Sequence, residues 1–159
     1  MTRAVRVFPS GAWTHVATDT VVLDSDHRRR RRLRMQAEGG LDFLLDLPEA
    51  VAIRDGDGLL LDDGRMVAVK ASAEPLLAVR ASDPGQLIRL AWHLGNRHLP
   101  VQIEGDRLLV RADDGTEALL ARLGATATPL SATFEPEGDG PGHPHGHGDD
   151  HGDQGRDRT

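Results

Sequence analysis

The side chains able to do chemistry in this sequence are mostly histidines, and they fall in two places. Four of the eight, His143, His145, His147 and His151, crowd a short C-terminal segment with Asp149, Asp150 and Asp153 between them. Neutral imidazole is a donor suited to nickel, zinc, copper and cobalt, and carboxylates add oxygen donors. The spacing therefore points to metal binding without selecting the metal. A tail that served only solubility would need no histidine. Two more, His93 and His98, lie in the stretch Trp92-His93-Leu94-Gly95-Asn96-Arg97-His98-Leu99-Pro100. There are no cysteines, which excludes disulfides, thiolate nucleophiles and cysteine-based zinc or iron–sulfur sites.

The elements that must position His93 and His98 are legible on either side of them. Asp83 can cap a helix start, Pro84 suits its first turn, and Gln86 stands where a capping-box partner belongs. Leu87, Leu90, Ala91 and Leu94 recur at i, i+3, i+4 and i+7, the spacing of one apolar helix stripe. Gly95 is the expected stop. His93 then falls in the last helical turn, where its plain role is to cap the helix end. His98 sits on the tight connection to a strand over Leu99–Ile103, beside a rigid corner.

The totals narrow the function classes. A chain of 159 residues with 38% hydrophobic and 3% aromatic content builds one ordinary domain or two small ones around an aliphatic core. No apolar run approaches the ~18 residues of a membrane span, and the N-terminus has no charged-then-apolar signal pattern, so a soluble cytoplasmic protein is expected. Of the net charge of −6, the segment from Glu137 to Thr159 carries six acids against two arginines, leaving −2 for the body. That balance does not describe a nucleic-acid binder.

Residues 1–73 read as a small all-β domain. Ala4–Phe8, Thr20–Leu23, Leu33–Gln36, Leu41–Leu47, Leu59–Leu61 and Met66–Val69 are short β-favouring runs separated by turn residues. Its loudest feature is Asp26-His27-Arg28-Arg29-Arg30-Arg31-Arg32, which we expect to line a solvated strand edge and discourage aggregation there. An acidic protein partner remains an open reading of this run. His15 and His27 read as ordinary surface residues. Residues 74–136 follow the order β-α-β-β-α-β, a ferredoxin-like split pattern: a strand Leu76–Arg80, the helix from Asp83, a hairpin turning at Glu104–Arg107, a helix capped at Asp113 or Asp114 and stopped at Gly124, and a strand Ala125–Phe134. So small a two-layer core gains from dimerisation. From 137 to 159 the Gly-, His- and Asp-rich composition predicts a disordered tail whose donors can converge on one ion.

The run His93-Leu94-Gly95-Asn96-Arg97-His98, the sequence Phe134-Glu135-Pro136-Glu137 and the Gly/His-rich terminus resemble the UreE family of urease accessory proteins, which are nickel metallochaperones. The Asp26–Arg34 stretch, Phe43-Leu44-Leu45-Asp46-Leu47-Pro48 and Arg54-Asp55-Gly56-Asp57 resemble its N-terminal domain. The resemblance implies an N-terminal domain like a chaperone peptide-binding module and a ferredoxin-like metal-binding domain through which two copies pair. It implies Ni(II) as cargo, with zinc or copper possible in vitro, held at the dimer interface by His98 of each subunit. Tail histidines among His143, His145, His147 and His151 would complete the site. The partners implied are the urease apoprotein and its accessory complex, including the accessory GTPase. Some relatives carry a His-x-His pair before the second helix of this domain. Here that stretch is Ala112-Asp113-Asp114, with no imidazole.

Two other readings compete. The sequence contains no GxSxG elbow, HExxH helix, Walker loop or dinucleotide-binding glycine fingerprint, and no acid spacing selects a catalytic pair, so an enzyme is not expected. A passive His-rich metal store would make the tail the working part and leave His98 incidental.

Overall fold

The computed structural model describes residues 1–138. Six strands form the first sheet: β1 (Arg3–Phe8), β2 (Asp19–Leu23), β3 (Arg32–Gln36), β4 (Asp42–Asp46), β5 (Gly58–Leu61) and β6 (Met66–Ala71). Their order across the sheet is β2-β6-β5-β1-β4-β3. Alternate residues point inward, and Phe43, Leu45, Leu59, Leu61 and Val67 make a dry aliphatic core. The two edges nearly meet. Glu38 N–H donates to the Thr20 carbonyl at 2.8 Å, and the Asp19 carboxylate accepts from Gly39 N–H at 2.8 Å and Leu41 N–H at 3.3 Å. The bond from Gly39 N–H, with those from Thr20 and Leu41, holds the Asp19 carboxyl below its usual range. A side chain thus closes a sheet whose open edges would otherwise invite pairing with other chains.

The second sheet holds β7 (Glu74–Arg80), β8 (Gln102–Glu104), β9 (Arg107–Arg111) and β10 (Thr126–Ala132) in the order β10-β7-β9-β8. Helices α1 (Pro84–Asn96) and α2 (Asp114–Arg122) cover one face, packing Leu90, Leu94, Leu119 and Leu120 on Leu77, Val79, Leu108 and Val110. The opposite face is also dry: Leu76, Ala78 and Leu109 are buried beneath Phe134. Burial on both faces explains why β7 is a continuous apolar run instead of an alternating one. The last strand ends at Ala132, short of the expected Phe134. The chain there leaves the sheet and folds Phe134 back across its outer face.

Both helix starts are capped as the sequence predicts. Asp83 accepts from Gln86 N–H, and the Gln86 side-chain oxygen accepts from Ser82 N–H, each at 2.8 Å. The Gln86 amide also donates to the Leu123 and Gly124 carbonyls at 3.3 Å, tying the start of α1 to the end of α2. Asp113 accepts from Thr116 N–H at 2.8 Å and from its hydroxyl at 2.9 Å. These two bonds lower the Asp113 pKa. Its contribution is therefore present at neutral pH and fades as acid protonates it, below the ordinary carboxylate range. Asp113→Ala is expected to destabilise the protein by about 1 kcal/mol in chemical denaturation at pH 7. The difference from the parent should shrink as the pH falls below the ordinary carboxylate range.

The two sheets are joined by a polar seam. The Glu74 carboxylate accepts from Ser25 N–H at 3.1 Å and from its hydroxyl at 3.0 Å. Arg111 donates to Ser25 Oγ at 2.6 Å and Asp26 at 2.9 Å, and lies over the Phe134 ring.

Candidate metal centre

The C-terminal end of α1 departs from the sequence expectation in a way that bears on chemistry. Gly95 does not stop the helix, which runs on through Asn96 to a cap at Arg97. His98 then takes the left-handed conformation, with φ of +58°, alone among the described non-glycine residues. Its N–H donates to the Gly95 carbonyl at 2.9 Å, and Leu99 N–H donates to the Leu94 carbonyl at 3.1 Å. This double closure is a Schellman motif, with Leu94 and Leu99 together in the apolar cluster beneath it.

Helix α2 ends the same way. Gly124 N–H donates to Ala121 O at 3.1 Å and Ala125 N–H to Leu120 O at 3.0 Å, and the left-handed residue is Gly124, with φ of +74°. Glycine suits that position because it has no Cβ to clash, whereas an L side chain there is disfavoured by about 1–2 kcal/mol. At the end of α1 the same structural slot is filled by an imidazole. A mildly strained, non-glycine residue at this slot singles out His98 as the candidate site residue of the folded body.

His98 is exposed on the rim of an open hollow of about 420 Å³, which Glu137, Arg29, Val101 and Ile103 also line. Ile88 and Trp92, one turn apart on α1, and Ile103, on the edge strand β8 and lining the hollow, are 70%, 63% and 57% exposed. His93 lies in the last turn of α1, as expected, and its ring meets Trp92 edge-on at 5.1 Å. His15 and His27 are exposed, and His27 Nδ1 lies 2.7 Å from Asp24 Oδ1. The predicted ligands His143, His145, His147 and His151 lie outside the described residues. Among those described, no three side chains of ligating type are grouped. Among the described residues, one chain thus places His98 and Glu137 at one hollow.

The arginine run is not one surface. Arg30, Arg31, Arg32 and Arg34 are exposed, the last two on the edge strand β3, as expected. Arg28 instead sits in a single 3-10 turn and is only 2% exposed. It donates to the Ile53 carbonyl at 3.2 Å, Glu135 Oε1 at 2.8 Å and the Phe134 carbonyl at 2.6 Å. Arg29 donates to the Pro136 carbonyl at 2.6 Å. The pattern of five arginines gave no sign that the first two face inward. That signal lay in Phe134–Glu137, more than a hundred residues away.

The chain is thus a β unit followed by an α+β unit, with His93 and His98 at the end of the second unit's first helix. Residues 3–72 match the N-terminal domain, and residues 74–157 the C-terminal domain, of the UreE urease accessory protein. Among relatives, the chain is 55% identical to the urease accessory protein UreE of Bradyrhizobium sp. (strain BTAi1) over 138 residues, covering 87% of this chain and 67% of that one. It is 50% identical to that of Rhodopseudomonas palustris (strain BisB18) over 95% of this chain and 72% of that one. With that of Rhodobacter capsulatus it shares 45% identity over 96% and 94%. The chain belongs to the UreE family of urease accessory proteins.

Proposed function

We propose that this protein is a cytoplasmic nickel metallochaperone for urease maturation and not an enzyme. In this reading it acts as a homodimer that carries Ni(II) to the urease apoprotein and its accessory complex, including the accessory GTPase. Residues 1–73 would be the partner-facing β domain, 74–136 the ferredoxin-like dimerisation and metal-binding domain, and 137–159 the metal-binding tail. The observation that carries the reading is His98 in the left-handed slot where the sister helix has Gly124.

Nickel takes four to six donors, and one His98 supplies one of them. A two-fold axis brings a second copy of the same imidazole at no cost in sequence. Ile88, Trp92 and Ile103 are exposed apolar side chains of the same domain, through which two copies would pair. Tail imidazoles His143, His145, His147 and His151 would then fill the remaining positions and let go again. Partial coordination suits a carrier, because a closed cage would not release its cargo.

The test is calorimetric titration of nickel into the full chain and into a variant with all four tail histidines changed to Asn. A carrier of this design keeps a tight site and loses ions from the total. A passive store loses nearly all of its binding. Ultracentrifugation of Trp92→Glu should show monomers together with loss of the tight site. Nickel should also dissociate as the solution is acidified through the range in which imidazoles protonate, since the protonated ring has no free pair to donate. Affinity that stays flat across that range would assign the ligands to carboxylates.

A further inference from the structure

We propose that the outer face of the first sheet is a docking surface for an acidic protein of the urease maturation assembly, with Arg3, Arg6, Arg32 and Arg34 as its contacts. The proposal rests on the accessory role above and adds to it the place where the partner lands.

Strand register brings these four side chains to one face. Phe43 and Leu45 of β4 point into the core, so Leu44 and Asp46 point outward. Arg34 of β3 pairs with Leu44, and so does Arg3 of β1, which sets Arg34, Leu44 and Arg3 in one row across three strands. Arg32 stands opposite Asp46 in the next row. Simple alternation would turn Arg6 away from the face of Arg3. The register of β1 on β5 slips between Ala4 and Arg6, however, so that buried Ala4 meets buried Leu61 while Arg6 meets outward-facing Leu60. The irregularity returns Arg6 to the face that carries Arg3 and leaves Val5 40% exposed.

All four arginines are exposed. Arg3 lies 3.2 Å from Asp46, whereas Arg6, Arg32 and Arg34 reach no carboxylate among the described residues. Positions two strands apart are about 10 Å from each other, close to the screening length of physiological salt, so these cations repel one another. Guarding a sheet edge accounts for Arg32 and Arg34 on β3. It does not account for Arg3 and Arg6, because β1 lies inside the sheet between β4 and β5. In a chain of net charge −6, such a concentration of cations fits a partner that supplies the missing carboxylates. A protein fits better than a nucleic acid. Asp42 and Asp46 share the face and would repel a phosphate backbone, and half-buried Leu44 and Leu60 give it an apolar floor. No exposed ring of the described first domain stands ready to stack on bases.

The experiment measures binding of the full chain to purified urease apoprotein assembled with its accessory proteins, by interferometry at low and physiological salt. Arg6→Glu and Arg34→Glu are each expected to weaken binding about tenfold at low salt, and less as salt screens the charges. Arg122→Glu makes the same charge change on the exposed surface of α2 and should alter binding by less than about twofold. Arg6→Lys with Arg34→Lys keeps the charge and should bind within about threefold of the parent. Binding that survives both glutamates, equal losses at Arg6, Arg34 and Arg122, a lysine pair as weak as the glutamates, or no binding by the parent would each overturn the proposal. So would reversals that spare the assembly but abolish binding to a DNA duplex or to phosphatidylglycerol vesicles. A changed association state in ultracentrifugation would make the face a contact between copies and overturn it too. Nickel titration separates the proposal from the carrier reading. Arg6→Glu should bind nickel as the parent does, and a parent that binds the assembly but no nickel would end the carrier reading while leaving the docking face in place.

Discussion

Replacing His98 by glycine is expected to abolish the tight nickel site while making the metal-free protein more stable, by up to about 1 kcal/mol. The two effects have separate causes. In the proposed reading the imidazole is the folded body's donor to nickel at the hollow, and in a symmetric dimer one substitution removes two donors. The backbone at the same residue holds φ of +58°, which crowds the Cβ of any L residue and leaves glycine unstrained. His98→Ala should lose nickel equally but gain no stability, because alanine keeps the Cβ. The mirror experiment is Gly124→Ala at the end of α2, which places a Cβ at φ of +74° and should destabilise the fold by about 1 kcal/mol. Denaturation midpoints of the three variants without metal, with nickel titrations beside them, check the set. Tight binding retained in an intact His98→Gly dimer would remove His98 as central ligand. A His98→Gly protein less stable than its parent would show that the ring contributes packing that outweighs the strain.

Phe134→Ala is expected to be the most damaging single change to stability, at about 3–5 kcal/mol. The ring is fully buried and covers Leu76, Ala78 and Leu109 on the face of the second sheet that neither helix reaches. Truncation opens a cavity there and uncovers apolar strand surface. It also removes the ring beneath Arg111, whose guanidinium lies 5.4 Å from the ring centroid. Urea denaturation of the metal-free variant measures the loss. Leu130→Ala, on the partly buried margin of the same cluster, should cost clearly less. Equal losses at the two positions would show that the outer face is not organised around Phe134.

Local chemistry made much of this protein readable from its residues. The i, i+3, i+4, i+7 stripe of α1, the Asp83 and Asp113 caps and the β-favouring runs depend on neighbours within a few positions, so the order of strands and helices could be written down in advance. His98 stood out by its place after a helix, and the tail by its composition. Long-range packing decided the rest. The sequence expectation ended α1 at Gly95 because glycine is the usual left-handed residue, yet the turn that closes best over Leu94 and Leu99 places His98 there instead. The closing of the first sheet by Asp19 and the return of Phe134 across the second depend on groups far apart in the chain. So does the division of the arginine run into exposed Arg30–Arg32 and inward Arg28 and Arg29. A guanidinium can be buried only where carbonyls and a carboxylate are waiting for it, and those of Phe134, Glu135 and Pro136 reach Arg28 and Arg29 only once both domains have folded.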